Sequence, residues 1–355
     1  MGTHESTIAV VGAGVAGLVC ARELVARGVR TRVFDKGRSP GGRIATRRAE
    51  SDFAFDHGAQ YITTSDPRLL RATADWLARG VVAEWPGLVV RLECGAVTDT
   101  SPQSRYVGVP GMSAVAADLA VGLAVRTGMR VTAATRGPAG WTLMDEEQST
   151  FGPFDALVVA LPAPQSADLL GSHPFAGEAA AVRMTPCWAV MVAFESRLEV
   201  PWDGAFVHGS PLSWVARNSS KPGRAREADC WVLHAATDWS TAHVEAAPHD
   251  AVSELLGAFS SAVGEQLPPC RHLIAHRWRY SQGSDPANRL VLCDPEARLA
   301  VCGDWLAGGQ VEGAFLAGVR AAEVVSGWDG SGGRQELATQ VLSYRPNSVD
   351  KRGHR

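Results

Sequence analysis

The sequence predicts an α/β fold of two domains: a parallel-sheet domain assembled from separated stretches of chain, and a mixed β-sheet domain inserted between them. Three observations predict it. A strand, a glycine turn and a helix open the chain at residues 8–35. Short apolar strands return far downstream, at 154–162 and 299–302. The intervening stretch, 164–288, changes to alternating strands rich in tryptophan.

Residues 8–11 form an apolar run fit for a buried parallel strand, which breaks into Gly12-Ala13-Gly14-Val15-Ala16-Gly17. This is the GxGxxG spacing of a strand-to-helix turn. Gly12 permits the tight turn, Gly14 lets a pyrophosphate approach bare backbone, and Gly17 lets the helix lie flat on the strand. The first-turn N–H groups then face the phosphates. The helix is expected over 15–27, apolar at Leu18, Ala21, Leu24 and Val25, and stopped by Gly28. A second strand, 31–34, ends at Asp35, 18 residues after Gly17, where an acid accepts both hydroxyls of an adenosine ribose. Strand, glycines, helix, strand and acid in that order specify a Rossmann-type dinucleotide site.

A chain of 355 residues and 37.6 kDa is long enough for two domains and a large core. A net charge of −3 and a pI near 6.4 give no basic field, which argues against nucleic acid or an anionic membrane as partner. No run of 18 apolar residues is free of charge or a glycine turn, so no membrane span is expected. The 8–20 stretch lacks the basic leader of a signal peptide, and the myristoylation-like Met1-Gly2-Thr3-His4-Glu5-Ser6 leaves too short a tether before the first strand. A cytoplasmic location is expected. Seven cysteines without CxxC spacing read as reduced core thiols. His272 and His276 have metal-pair spacing but lie in a strand without an accompanying acid, so no metal site is expected. Only three lysines occur, Lys36, Lys221 and Lys351, which makes Schiff-base chemistry improbable.

After Asp35 come Lys36 and then Gly41-Gly42-Arg43, paired glycines and a fixed cation suited to the phosphates or flavin edge of an extended cofactor. GxGxxG, an acid after the second strand and GGR shortly beyond resemble the FAD-binding signature of the amine oxidase and phytoene desaturase superfamily. Phe55-Asp56-His57-Gly58-Ala59-Gln60-Tyr61 after GGRxATRR is similar to the renalase-like branch. The resemblance implies that Asp35, Lys36, Gly42, Arg43, His57, Gly58, Ala59 and Gln60 lie at the FAD.

Helices are expected at 69–77 and 113–125, with a strand near 129–135 in which Val131, by the resemblance, sets a backbone group against the adenine. Six tryptophans within 164–288, with Trp305 just beyond, suit an aromatic-walled cavity for a planar ligand. Segments around 213–224, 231–235 and 278–280 also resemble renalase-like proteins. His234 and Trp278 are the candidate wall and catalytic residues, and Arg217, Lys221 and Arg224 are candidates to face substrate phosphates or to form a solvated basic loop. Residues 244–263 read as one helix outside the sheet. The last strand ends in Gly303-Asp304, and Val311-Glu312-Gly313 opens a helix to about 325. By the resemblance, Asp304 reaches ribityl or pyrophosphate hydroxyls and the helix N-terminus points at the flavin N1–C2=O edge, where it would stabilise anionic reduced flavin.

The expected division is an FAD-binding domain of 1–75, 105–165 and 290–328, a substrate domain of 76–104 and 166–289, and a loose tail at 329–355. The resemblance implies hydride removal from the 1,2- and 1,6-dihydro isomers of NAD(P), with O2 reduced to H2O2. The absence of an obvious acid–base pair or nucleophile suits a dihydropyridine, whose hydride leaves without a protein base. An amine oxidase or desaturase of secondary metabolites on the same scaffold is the alternative, and a flavin- or NAD-binding sensor a lesser one. Oligomeric state is open.

Overall fold

The computed structural model describes residues 6–49 and 53–329; the tail from 330 on and the first five residues lie outside the described part. Residues far apart in sequence build its central sheet. In spatial order the strands are Val291–Asp294, Leu299–Cys302, Ala156–Val159, Thr7–Val11, Arg30–Phe34 and Ala124–Arg126. The first pair is antiparallel and all the others are parallel. The three central strands, Leu299–Cys302, Ala156–Val159 and Thr7–Val11, are short and almost wholly apolar because both faces are covered. Ile8, Val10 and Val158 pack under helices Val15–Ala26 and Val311–Ser326, whereas Ala9, Val11, Leu157 and Val159 pack on the opposite side. That side carries a three-stranded antiparallel sheet, Val131–Gly137, Gly140–Asp145 and Thr150–Phe154. The α/β fold with a Rossmann-type sheet is the one the glycine turn and apolar strands predict.

Two helices differ from expectation. The expected 113–125 helix covers only Ser113–Ala120, because Gly122 takes φ +78° and turns the chain into the edge strand Ala124–Arg126. The expected 244–263 helix begins at Pro248, whose fixed φ and missing N–H suit a first helical position, and Thr237–Ala242 forms a separate short helix.

A second sheet of seven strands runs Cys270–Gln282, Thr185–Phe194, Asp229–Ala235, Leu212–Arg217, Gly204–His208, Val89–Glu93 and Ala96–Thr100. It is antiparallel except where Gly204–His208 meets Val89–Glu93, so the sheet is mixed. Strand alternation divides its residues cleanly. Trp188, Val190, Val192, Trp231 and Leu233 pack beneath helix Pro248–Val263 through Leu255 and Phe259. Met191, Ala193, Cys230 and Val232 point the other way, onto Phe55 of the short strand Ala54–Phe55. The second face therefore looks toward the loops that follow the glycine turn. Among the described residues, no helix is long and apolar enough to cross a membrane.

The dinucleotide crevice and the histidine wall

Gly12, Gly14 and Gly17 serve different contacts. Gly12 has φ +110°, and a Cβ there would stand 2.4 Å from Ala160 O; one on Gly17 would stand 1.9 Å from Gly12 O. Those two glycines seat the helix on its strand. Gly14 has an extended backbone and open space where its Cβ would be, directly before the first helical turn, where no side chain caps the N–H groups. The hollow lies at the carboxyl ends of the parallel strands, the place where such sheets bind dinucleotides, and a pyrophosphate fits it. Asp35 sits at the rim, half-buried, accepting the Ala13 and Gly37 N–H groups at 2.6 Å each, one per carboxylate oxygen. Each oxygen keeps a second lone pair for a ribose hydroxyl. Val131 begins its strand two residues after Met129, whose N–H donates to Asp35 O at 2.9 Å. Lys36 is exposed.

The Gly41-Gly42-Arg43 loop folds back on this turn: Gly41 N–H donates to Ala13 O at 2.8 Å, and a Cβ on Gly42 would lie 3.6 Å from Gly14 Cα. Arg43 and Asp304, read separately from the sequence as cofactor contacts, meet each other. The guanidinium is bidentate on the Asp304 carboxylate, at 2.9 and 2.5 Å, and also donates to Ser281 O at 3.0 Å. Glu312 is held within the protein: its buried carboxylate accepts the Ser65 N–H at 2.6 Å, the Ser65 hydroxyl at 2.5 Å and the Asp66 N–H at 2.9 Å. Gly313 faces protein, since a Cβ there would stand 2.0 Å from Ala307 O. Its smallness lets helix Val311–Ser326 lie against the turn that follows Gly303. Val311 is half-buried at that helix's N-terminus.

The 56–60 turn sits between this crevice and the seven-stranded sheet. Ala59 N–H donates to Arg43 O at 2.8 Å, and a Cβ on Gly58 would fall 2.0 Å from that same oxygen, so only glycine fits. His57 O receives the Trp278 indole N–H at 2.9 Å and His234 Nε2 at 3.1 Å. A carbonyl only accepts, so His234 carries its proton on Nε2. The two candidate wall residues are thus fastened to one atom, and both remain half-buried.

The sheet register explains how they converge. Trp214 pairs with His234, His234 with Ala189, and Ala189 with His276, so these four side chains form one row across the face. The small, buried Ala189 leaves a low floor between the two histidines. His57 closes onto the row, its ring 4.9 Å from His276 and 4.8 Å from Trp278. Burial, with smaller contributions from His276 and Arg47, drives the His57 imidazole down to about 3, and burial drives His234 down to about 4. His276 is also lowered, by burial and then by Arg47. All three are neutral at pH 7, and the buried His57 Nδ1 has no hydrogen-bond partner among the described residues.

Sequence reasoning overlooked His276 as a wall residue. Its spacing from His272 suggested a metal pair, but His272 instead stacks on Phe55 at 5.6 Å. Alternation along residues 272–278 is the signal that identifies it. Tryptophan clustering misled in part: Trp188, Trp202 and Trp231 are core on the helix-covered face, and only Trp214 and Trp278 of that stretch face the turn. The basic segment is corrected too. Arg217 is buried on Asp229 and the Leu198 carbonyl, Arg224 on Asp56 and the Gly108 carbonyl, and Lys221 is fully buried, so none faces a substrate phosphate or solvent. All seven cysteines are free thiols, but Cys94, Cys270 and Cys293 are exposed rather than in the core.

A glycine crevice at the ends of a parallel sheet, faced by a second mixed sheet, defines a dinucleotide-binding architecture. Comparisons with known proteins agree. Residues 10–76 match the NAD(P)-binding Rossmann-like domain and residues 95–326 the flavin containing amine oxidoreductase family. The chain belongs to that family, and it is an FAD-dependent oxidoreductase. Among solved structures, a protein assigned as a protoporphyrinogen oxidase from Exiguobacterium sp. 255-15 superposes with a TM-score of 0.73 at 13% identity, over 92% of this chain and 99% of that one. Wild-type putrescine oxidase bound to putrescine superposes with a TM-score of 0.71 at 12% identity, over 90% and 99% of the two chains. At such identities the likeness is one of fold.

Proposed function

We propose that the protein is a renalase-like oxidase of dihydronicotinamide dinucleotides. It takes a hydride from the 1,2- and 1,6-dihydro isomers of NAD(P); with O2 and one proton, each turnover gives NAD(P)+ and H2O2. When bound, FAD supplies the two-electron acceptor. In this reading Gly12, Gly14, Gly17, Asp35 and Val131 hold its adenosine and pyrophosphate. Gly42, Arg43, residues 57–60, Asp304 and the N-terminus of helix Val311–Ser326 surround the flavin end. His234, His276 and Trp278 form the substrate wall, carried by a substrate domain of 76–104 and 166–289.

The observation that carries this reading is electrostatic. Asp35, Asp56, Asp304 and Glu312, the carboxylates of these elements, are each held by partners inside the protein, and the imidazoles of the wall are neutral at pH 7. An alkylammonium, with a pKa of ~10, would need an anion to receive it and a base to deprotonate it before giving up electrons. A dihydropyridine needs neither. Aligning it against a flat aromatic wall supplies the reactive geometry, and neutral rings let it stack without desolvating a charge.

The family and the putrescine oxidase likeness support a second reading, oxidation of an amine or desaturation of a secondary metabolite. Anaerobic mixing separates the two. The 1,2- and 1,6-dihydro isomers of NAD should bleach the flavin rapidly and ordinary 1,4-NADH much more slowly, because its C4 hydride is placed elsewhere. Equal reactivity at C4, or bleaching by amines alone, would replace the first reading with the second.

A further inference from the structure

The 56–60 turn is held from behind by a buried charge cluster. Asp56, fully buried, binds Lys221 at 3.4 Å and Arg224 through one oxygen, and the Thr46 hydroxyl and Met112 N–H at 2.8 Å each through the other. Charge balance requires one cation; the cluster holds two. Arg224, forked between Asp56 and the Gly108 carbonyl, already neutralises the acid. A second buried cation costs desolvation without a second anion to offset it, so Coulomb attraction alone does not account for Lys221.

Its geometry does. The Lys221 ammonium has three N–H groups and three acceptors: Asp56 Oδ2 at 3.4 Å, Gln60 Oε1 at 3.1 Å and Asn218 Oδ1 at 3.4 Å. These acceptors bracket the turn. Asp56 opens it and Gln60 closes it, donating back to Asp56 O and, at 3.2 Å, to Gly58 O. Asn218 takes the Asp56 N–H at 3.3 Å and donates to Ala54 O at 2.8 Å, fixing the strand that enters the turn. Between them lies the His57 carbonyl on which His234 and Trp278 are fastened.

We infer that Lys221 is a positioning residue which, by grasping Asp56, Gln60 and Asn218 together, sets the place of the His57 carbonyl and so the orientation of the His234 and Trp278 rings. The inference rests on the proposed use of those rings as the substrate wall. Proton loss would leave two N–H groups for three acceptors and loosen the turn. Burial, opposed by Asp56 and assisted by Arg224, lowers this lysine to about 8. The groups facing it are Asp56, Arg224, Gln60, Asn218, His234 and the Trp85 ring, 5.7 Å from Nζ. Asp56 stays ionised and His234 neutral across that range, leaving Lys221 to titrate.

The test follows the FAD-loaded protein from about pH 6.5 to about 9.5 by visible circular dichroism of the bound flavin, and by KM and kcat for the 1,2-dihydro isomer of NAD. The expected result is a one-proton transition near pH 8 in the dichroism, with KM rising several-fold above it and kcat changing less. Lys221→Met should show the high-pH spectrum throughout. Arg224→Gln removes the neighbouring cation that holds the lysine down and should move the transition upward by about one pH unit. Should Lys221→Met fail to fold, the wild type and Arg224→Gln decide. No dichroic transition in the wild type, or one that Arg224→Gln leaves in place, overturns the inference. If no dihydronicotinamide reduces the flavin, the substrate reading falls while the dichroism still judges Lys221.

Discussion

Gly14 and Gly17 stand three residues apart and behave oppositely toward a side chain. Gly14→Val has open space and an extended backbone, so the apoprotein should keep its unfolding midpoint. The same side chain fills the pyrophosphate hollow, and FAD affinity should fall at least ~100-fold, or about 2.7 kcal/mol. Gly17→Ala instead drives a methyl into Gly12 O and should cost roughly 2–3 kcal/mol of stability with or without FAD. Chemical unfolding of the apoproteins and fluorescence titration with FAD separate the two. Histidine titration gives a second residue-scale prediction. His57 and His234 bind protons in the native state only below about 3 and about 4, yet take them up near the usual 6.5 once unfolded. Unfolding is then favoured by acid: the histidine contribution is complete above about pH 6.5 and is lost as pH falls from there toward 4. Urea midpoints from pH 8 to 4 check the slope, and His57→Gln should reduce it by about one proton. Glycine spacing made the crevice legible, since each glycine's role follows from local geometry. Lys221 was not legible: Lys-Pro-Gly-Arg reads as a solvated loop until Asp56, 165 residues earlier, is seen beneath it.

At the scale of elements, helix Val311–Ser326 tests how small residues set packing. Its Gly318 lies where a Cβ would stand 2.4 Å from Ala16 O on helix Val15–Ala26, and Gly313 meets Ala307 O at its N-terminal end. Gly313→Ala should therefore lower thermal stability by about 2–3 kcal/mol through loss of docking. An unchanged melting temperature with impaired FAD binding would instead place Gly313 against the flavin. The apolar runs of Thr7–Val11, Ala156–Val159 and Leu299–Cys302 were readable because both faces of a central parallel strand are buried. The edge strand Ala124–Arg126 was not, because three residues after a helix carry too little periodicity to separate strand from continued helix.

On the scale of the whole molecule, Arg43 joins a loop of the glycine turn to Asp304 and to the Ser281 carbonyl, partners 261 and 238 residues away. No spacing rule pairs residues so distant, which is why both were read only as cofactor contacts. Arg43→Met should leave the Asp304 carboxylate buried without its cation and destabilise the protein by roughly 3–5 kcal/mol, measured by urea unfolding. The order of the parallel sheet also bears on how the chain is made. Thr7–Val11 leaves the ribosome before the other five strands, but its neighbour Ala156–Val159 comes about 150 residues later, and Leu299–Cys302 about 140 residues after that. The seven-stranded sheet, whose last strand ends at Gln282, is complete before the six-stranded one. Its assembly therefore precedes closure of the dinucleotide crevice, and strands Thr7–Val11 and Arg30–Phe34 wait, exposed, until Leu299–Cys302 has been made. Ribosome-stalled chains ending before 299 should be protease-sensitive across 7–48 and protected across 185–282, with protection of the amino-terminal stretch appearing only once 326 has emerged.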